Sequence, residues 1–136
     1  LAEEKNFENR IKDFLKEKNC WFIKYWSGTS TKGKKFTKDG IPDILVCCHG
    51  KFMGVEVKAP HGKPKVLQLY HLRKIEEAGG FAILLYPDQW EVFKNFIDCV
   101  MANDPNMFFN YDILKRTRTE WEKKLKEGGD VDDCIT

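Results

Sequence analysis

Asp43, Glu56 and Lys58 are the residues whose types and spacing could do chemistry together. Glu56-Val57-Lys58 falls in a run that reads as a strand. Side chains alternate along a strand, so Glu56 and Lys58 share one face while Met53, Val55 and Val57 share the other. Gly54 lies on the Glu56 face and leaves space beside it. The expected strand order puts this run mid-sheet between apolar neighbours, where charges need a reason. Asp43 supplies one. It follows Gly40-Ile41-Pro42 and opens the preceding strand, so a hairpin closed at Gly50 returns it to the Glu56 and Lys58 end. Two carboxylates and an ammonium then converge. Hard cations such as Mg²⁺ take carboxylate oxygens, commonly one or two plus waters, and the Val57 carbonyl is placed to add another oxygen. The lysine can position or deprotonate an attacking water, or steady developing negative charge.

The elements that must hold these residues follow from periodicity and turn chemistry. Residues 3–18 carry Phe7, Ile11, Phe14 and Leu15 at helical spacing. Residues 20–26 alternate as a strand, and 27–40 form a loop rich in Ser, Thr, Gly and Lys. Strands are expected at 44–48 and 52–58, joined by a turn at His49-Gly50-Lys51. Pro60 and Pro64 mark a loop over 59–64. A helix over 66–78 ends at Gly79-Gly80. The run 81–86 is apolar throughout and reads as a central strand. A helix over 89–101, a turn-rich loop over 104–110, a charged helix over 111–126 and a frayed tail from 128 complete the chain. The fold class is therefore α/β.

Composition narrows the partners. The 136 residues suit one domain with its own core, and 42% hydrophobic and 13% aromatic residues argue against disorder. No apolar run is long enough to cross a bilayer, and residues 1–10 are too acidic and amide-rich to read as a secretory leader. The five cysteines are odd in number and lack a Cys-x-x-Cys pair. A zinc cluster of Cys47, Cys48 and His49 is poorly placed, because adjacent strand residues point to opposite faces. Buried thiols in a reducing cytosol are the expectation. Net charge is only +2, but ten of the 23 basic residues fall in the acid-poor stretches 24–38 and 58–74. Lys32, Lys34, Lys35, Lys38, Lys63 and Lys65 are the candidates to grip phosphates there. Charge runs alone favour two solvated faces.

Glu8 and Gln68 border apolar helix stripes, Glu8 before Ile11 and Leu15, Gln68 before Leu72 and Ile75. On helix evidence alone each reads as a surface residue. The Gln68 amide could also fix a water or a phosphate.

With these residues in view, the chain resembles the PD-(D/E)xK nuclease superfamily, and within it the small VRR-NUC proteins of phages and bacteria, relatives of Holliday-junction resolvases. The stretches that carry this are Gly40-Ile41-Pro42-Asp43, Gly54 to Pro60, Gln68-Leu69 and Gly79-Gly80. The resemblance spans about residues 4–100. It implies a restriction-endonuclease-like core of helix, three strands, helix and strand in a domain of residues 1–101, with 102–136 a C-terminal helical extension of unassigned role. It implies Mg²⁺- or Mn²⁺-dependent cleavage of DNA phosphodiesters, selective for branched structure rather than sequence. Asp43 and Glu56 would be metal ligands and Lys58 the catalytic lysine. The resemblance raises Glu8 as a further ligand and Gln68 as a site residue, and it implies a cytoplasmic setting in a bacterial or phage-infected cell.

The competing readings are a catalytically weak DNA-binding accessory module and a structural partner of a helicase or recombinase. A homodimer is expected from the resolvase resemblance and from Trp21, Trp26, Trp90 and Trp121, which read as exposed. Lys115, Arg116 and Arg118 could touch DNA, or their helix could dock a second subunit. A helix that merely covers the domain is the preferred reading.

Overall fold

The structure is a computed structural model that describes residues 2–26 and 38–128. Its elements are α1 (Ala2–Glu17), β1 (Trp21–Lys24), β2 (Ile44–Cys48), β3 (Lys51–Val57), α2 (Val66–Glu77), β4 (Phe81–Leu85), α3 (Trp90–Met101) and α4 (Asn106–Glu127), with a 3-10 turn, Pro87–Gln89, before α3. The result is an α/β fold around a four-stranded mixed sheet, ordered β1-β2-β3-β4. The β1–β2 and β2–β3 pairs are antiparallel, and β3–β4 is parallel.

Local chemistry explains the joints. His49 and Gly50 both take positive φ, 48° and 77°, as a tight two-residue hairpin between β2 and β3 requires. The parallel β3–β4 pair needs a crossover, which α2 provides. The strands alternate sharply. Ile44, Val46, Cys48, Met53, Val55 and Val57 join the main core with α1 and α3, while Ala82 and Leu84 pack with Leu69 and Leu72 of α2. Burying such side chains contributes roughly 1.5–3 kcal/mol each.

Three expectations are corrected. First, β4 lies at the edge of the sheet rather than inside it. It is buried throughout because helices cover both faces and α4 covers the edge. The Ala82 N–H donates to the Tyr111 hydroxyl (3.1 Å), and the Ala82 carbonyl accepts from Arg118 Nε (3.4 Å). Second, the turn chemistry at 104–106 starts a helix instead of filling a loop. Pro105 holds φ at −57°, Asp104 Oδ1 accepts the Asn106 N–H (2.9 Å), and α4 begins there. Met107, Tyr111 and Leu114 of α4 join the main core. Third, Cys20 and Cys48 are not thiols but form a disulfide with Cα atoms 4.9 Å apart. Cys20 precedes Trp21, which pairs with Cys47, so the cysteines meet across β1 and β2. Cys48 is thereby removed from any zinc cluster, and Cys47 and Cys99 are free.

The tryptophans divide. Trp90 is packed among Phe7, Phe14 and Phe93, and Trp121 packs beside the Leu69 cluster. Trp21 and Trp26 are 60% and 62% exposed. Among the described residues no helix is long and apolar enough to cross a membrane.

Candidate functional site

Asp43 is seated by the backbone on either side of it. Gly40 adopts φ +78°, and a Cβ there would meet Leu67 Cγ at 2.7 Å, so the loop turns against the start of α2. Pro42 then occupies the space that Gly54 leaves on β3, where a Cβ would stand 2.9 Å from Pro42 Cγ and 2.7 Å from Ile75 Cδ1. Asp43 is thus fixed beside the end of β3. Its Oδ2 accepts the Val57 N–H (2.8 Å), and its backbone carbonyl accepts the Tyr25 N–H (2.8 Å). A strand residue presents its N–H and C=O on the same side, so the Val57 carbonyl lies on the side that Asp43 occupies.

Glu56 and Lys58 project from β3 on the α2 side. Both are nearly inaccessible, 2% and 8% exposed, and Lys58 Nζ lies 3.5 Å from Glu56 Oε2. Burial pushes the Glu56 carboxyl up to about 8, the neighbouring Asp43 adds to the rise, and the Lys58 charge opposes it. Glu56 Oε1 is buried without a hydrogen-bond partner. A desolvated carboxyl group with an unpartnered oxygen, beside a second carboxylate, is an arrangement that fits a hard divalent cation, which would displace its proton.

Glu8 and Lys24 complete this end of the sheet. Glu8 is buried on α1, with its Oε1 2.6 Å from Lys24 Nζ. The same ammonium lies 3.3 Å from Asp43 Oδ1. Lys12 and Lys5 approach Glu8 Oε2 at 3.4 and 3.5 Å. Burial acts to raise the Glu8 pKa, but the Lys24 hydrogen bond and the three lysine charges hold it below the usual value. Lys24 is itself raised: burial works against its charge, and Glu8 and Asp43 outweigh burial. Glu8 is therefore brought toward Asp43 with a lysine between them. Among the described residues no three His, Cys, Asp or Glu side chains are grouped to hold a metal.

Sequence reasoning gave Lys24 no role beyond its place at the start of the first basic stretch. The signal was present. Strand alternation puts Lys24 on the face of Phe22, which packs against the core beside α1.

A cleft of about 400 Å³ opens at Asp43, lined by Lys24, Tyr25, Trp26, Lys65 and Gln68 among others. Gln68 Oε1 accepts the Lys65 N–H (2.8 Å), so part of the amide is committed to the start of α2. Lys38, Lys63 and Lys65 are exposed, and the Tyr25 hydroxyl pins the Lys38 backbone at both its N–H (3.0 Å) and its carbonyl (3.2 Å). Lys63 borders a separate shallow pocket with His61, Asp88 and Trp121. Lys32, Lys34 and Lys35 lie outside the described residues. Arg118 is no nucleic-acid contact. It is 1% exposed and bound to Glu76 (2.6 Å) and Glu122 (3.0 Å), while Lys115 pairs with Glu76 (3.2 Å).

No family model, curated protein or solved structure matches the chain.

Proposed function

We propose that the protein is a metal-dependent deoxyribonuclease with a restriction-endonuclease-like core, acting on branched rather than sequence-defined DNA. The observation that carries this reading is the buried Glu56 carboxylate, with one oxygen unpartnered, between Asp43 and Lys58. A structural ion pair at that depth would be expected to satisfy its oxygens.

In this reading Asp43, Glu56 and the Val57 carbonyl hold Mg²⁺ or Mn²⁺. The cation, when bound, supplies Lewis-acid stabilisation of charge at the phosphate. Lys58 holds or moves the proton of the attacking water, its ammonium kept in place by Glu56. Lys65 and Gln68 line the cleft where the scissile strand would lie, and Lys38 and Lys63 extend the cationic surface along the backbone. Two copies would act on paired strands, using the exposed Trp21 and Trp26 side of the molecule.

The test is a cleavage panel of single-stranded, duplex, flap and four-way-junction DNA. Cleavage should require Mg²⁺ or Mn²⁺, stop with a chelator, and be fastest on a branched substrate. Metal-independent cleavage, or no cleavage of any substrate, would refute the proposal. The Lys24 bridge between Glu8 and Asp43 favours a second reading, a DNA-binding accessory module with a weak site. That reading expects mobility shifts without nicks in the same panel.

A further inference from the structure

We infer that Lys24 is a tethered internal cation that holds Glu8 to Asp43 and must leave Asp43 before a divalent cation can bind there. This rests on the metal site proposed above and adds a positioning residue to it.

The geometry is specific. One ammonium spans two carboxylates from different elements, at 2.6 Å to Glu8 of α1 and 3.3 Å to Asp43 at the start of β2. This differs from an ordinary surface pair, because the Glu8 side chain is only 5% exposed. The two carboxylates are also unequally supplied. Glu8 Oε2 is approached by Lys5 and Lys12 as well, whereas among the described residues the ammonium paired with Asp43 is that of Lys24. Losing Lys24 therefore still leaves two lysine charges facing Glu8, and the larger change in charge falls on Asp43. A divalent cation arriving at Asp43 meets a like charge already there. Removing a like charge within about 4–6 Å moves an ionic equilibrium by roughly ten- to a thousandfold.

A plain structural bridge and an exchangeable cation make opposite predictions for metal affinity. A structural bridge positions the carboxylates, so its loss weakens metal binding or leaves it unchanged. An exchangeable cation competes, so its loss tightens binding.

Calorimetric titration of the metal-free full chain with Mn²⁺ separates them without any activity measurement. Lys24→Met should bind Mn²⁺ at least about tenfold more tightly than the original chain. Lys24→Arg should restore the original affinity. Lys12→Met, which removes a charge from Glu8 but leaves the bridge, should change affinity by less than about threefold, because its partner is shared with two other lysines. The melting temperature of Lys24→Met should fall without metal and rise further on adding Mn²⁺. Lys24→Gln serves if the methionine variant does not fold. Unchanged or weaker binding in the neutral variants, with binding still lost in Asp43→Asn, would overturn the inference and leave the metal site standing. Binding indifferent to both Asp43→Asn and Glu56→Gln, or no binding at all, would overturn the metal site and the inference with it.

Discussion

Among the described residues the molecule buries two clusters of charge, one at the β4 edge of the sheet and one at the end of the interior strand β3. At the β4 edge, Glu76 receives Tyr111, Arg118 and Lys115, and Arg118 also reaches Glu122 and the Ala82 carbonyl. The donors there are matched. Burial acts to raise Glu76, yet Tyr111 and Arg118 keep it below the ordinary carboxylate value. Tyr111, buried against that carboxylate, is pushed up to about 12. On β3, Glu56 has one cation beside it, a carboxylate for a neighbour and an oxygen with no partner. One cluster is closed and the other is open. A closed buried network fixes an arrangement of chain. An open one leaves a desolvated group that holds its proton rather than its charge, and such sites are where added ligands and chemistry are found.

That contrast can be broken most forcefully by substitution. Asp43→Asn, Glu56→Gln and Lys58→Ala should each lower cleavage at least about a hundredfold, as loss of one charge-stabilising group commonly does. Above about pH 8, where the Glu56 carboxyl ionises, Glu56→Gln should also raise the melting temperature of the metal-free protein, because it removes a buried charge without a full set of partners. Near-normal turnover at saturating metal in any one variant would remove that residue from the site.

Arg118→Met should do the reverse. It strands Glu76 and the Ala82 carbonyl and should cost about 3–5 kcal/mol in denaturant unfolding, the usual penalty for breaking a buried pair. The folded fraction should keep its metal affinity. A loss below 1 kcal/mol would show that the network is not the edge seal described above.

The smaller effect is in pH. The folded Glu56 value lies above its unfolded value, so its favourable contribution is full below about 4.5 and is lost as pH rises toward about 8. The folded Glu76 value is depressed, so its contribution is present above about 4.5 and lost as pH falls through the folded value. Metal-free stability followed across pH 3–9 should therefore decline at both ends. Glu56→Gln should flatten only the alkaline side and Glu76→Gln only the acid side. Exchanged or identical effects would contradict the assignment.

The open cluster was legible in the sequence and the closed one was not, for physical reasons. Alternation in β3, the space at Gly54 and the Gly40-Ile41-Pro42 turn are local, and they place Asp43, Glu56 and Lys58 without knowledge of the rest of the fold. Lys24 depends on which face of β1 meets α1, a tertiary fact that a four-residue strand barely encodes. Arg118 depends on a helix crossing the β4 edge 36 residues away in sequence. In a strongly charged helix it looks like any solvated arginine. The apolar run of β4 is the same whether a strand or a helix lies beside it, so its place at the edge could not be read.

The seal on β4 also governs how these molecules can add to one another. Among the described residues, β1 is then the sheet margin without such a cover, carrying exposed Trp21 and Ile23. A sheet that can grow at both margins can stack strands end to end without limit, which is the route to fibres. A sheet that can grow at one margin can be joined once. Two chains pairing β1 with β1 would use up both open margins, and a third would find no strand to extend. Association by this route would stop at two, because α4, through Tyr111 and Arg118, already occupies the β4 edge.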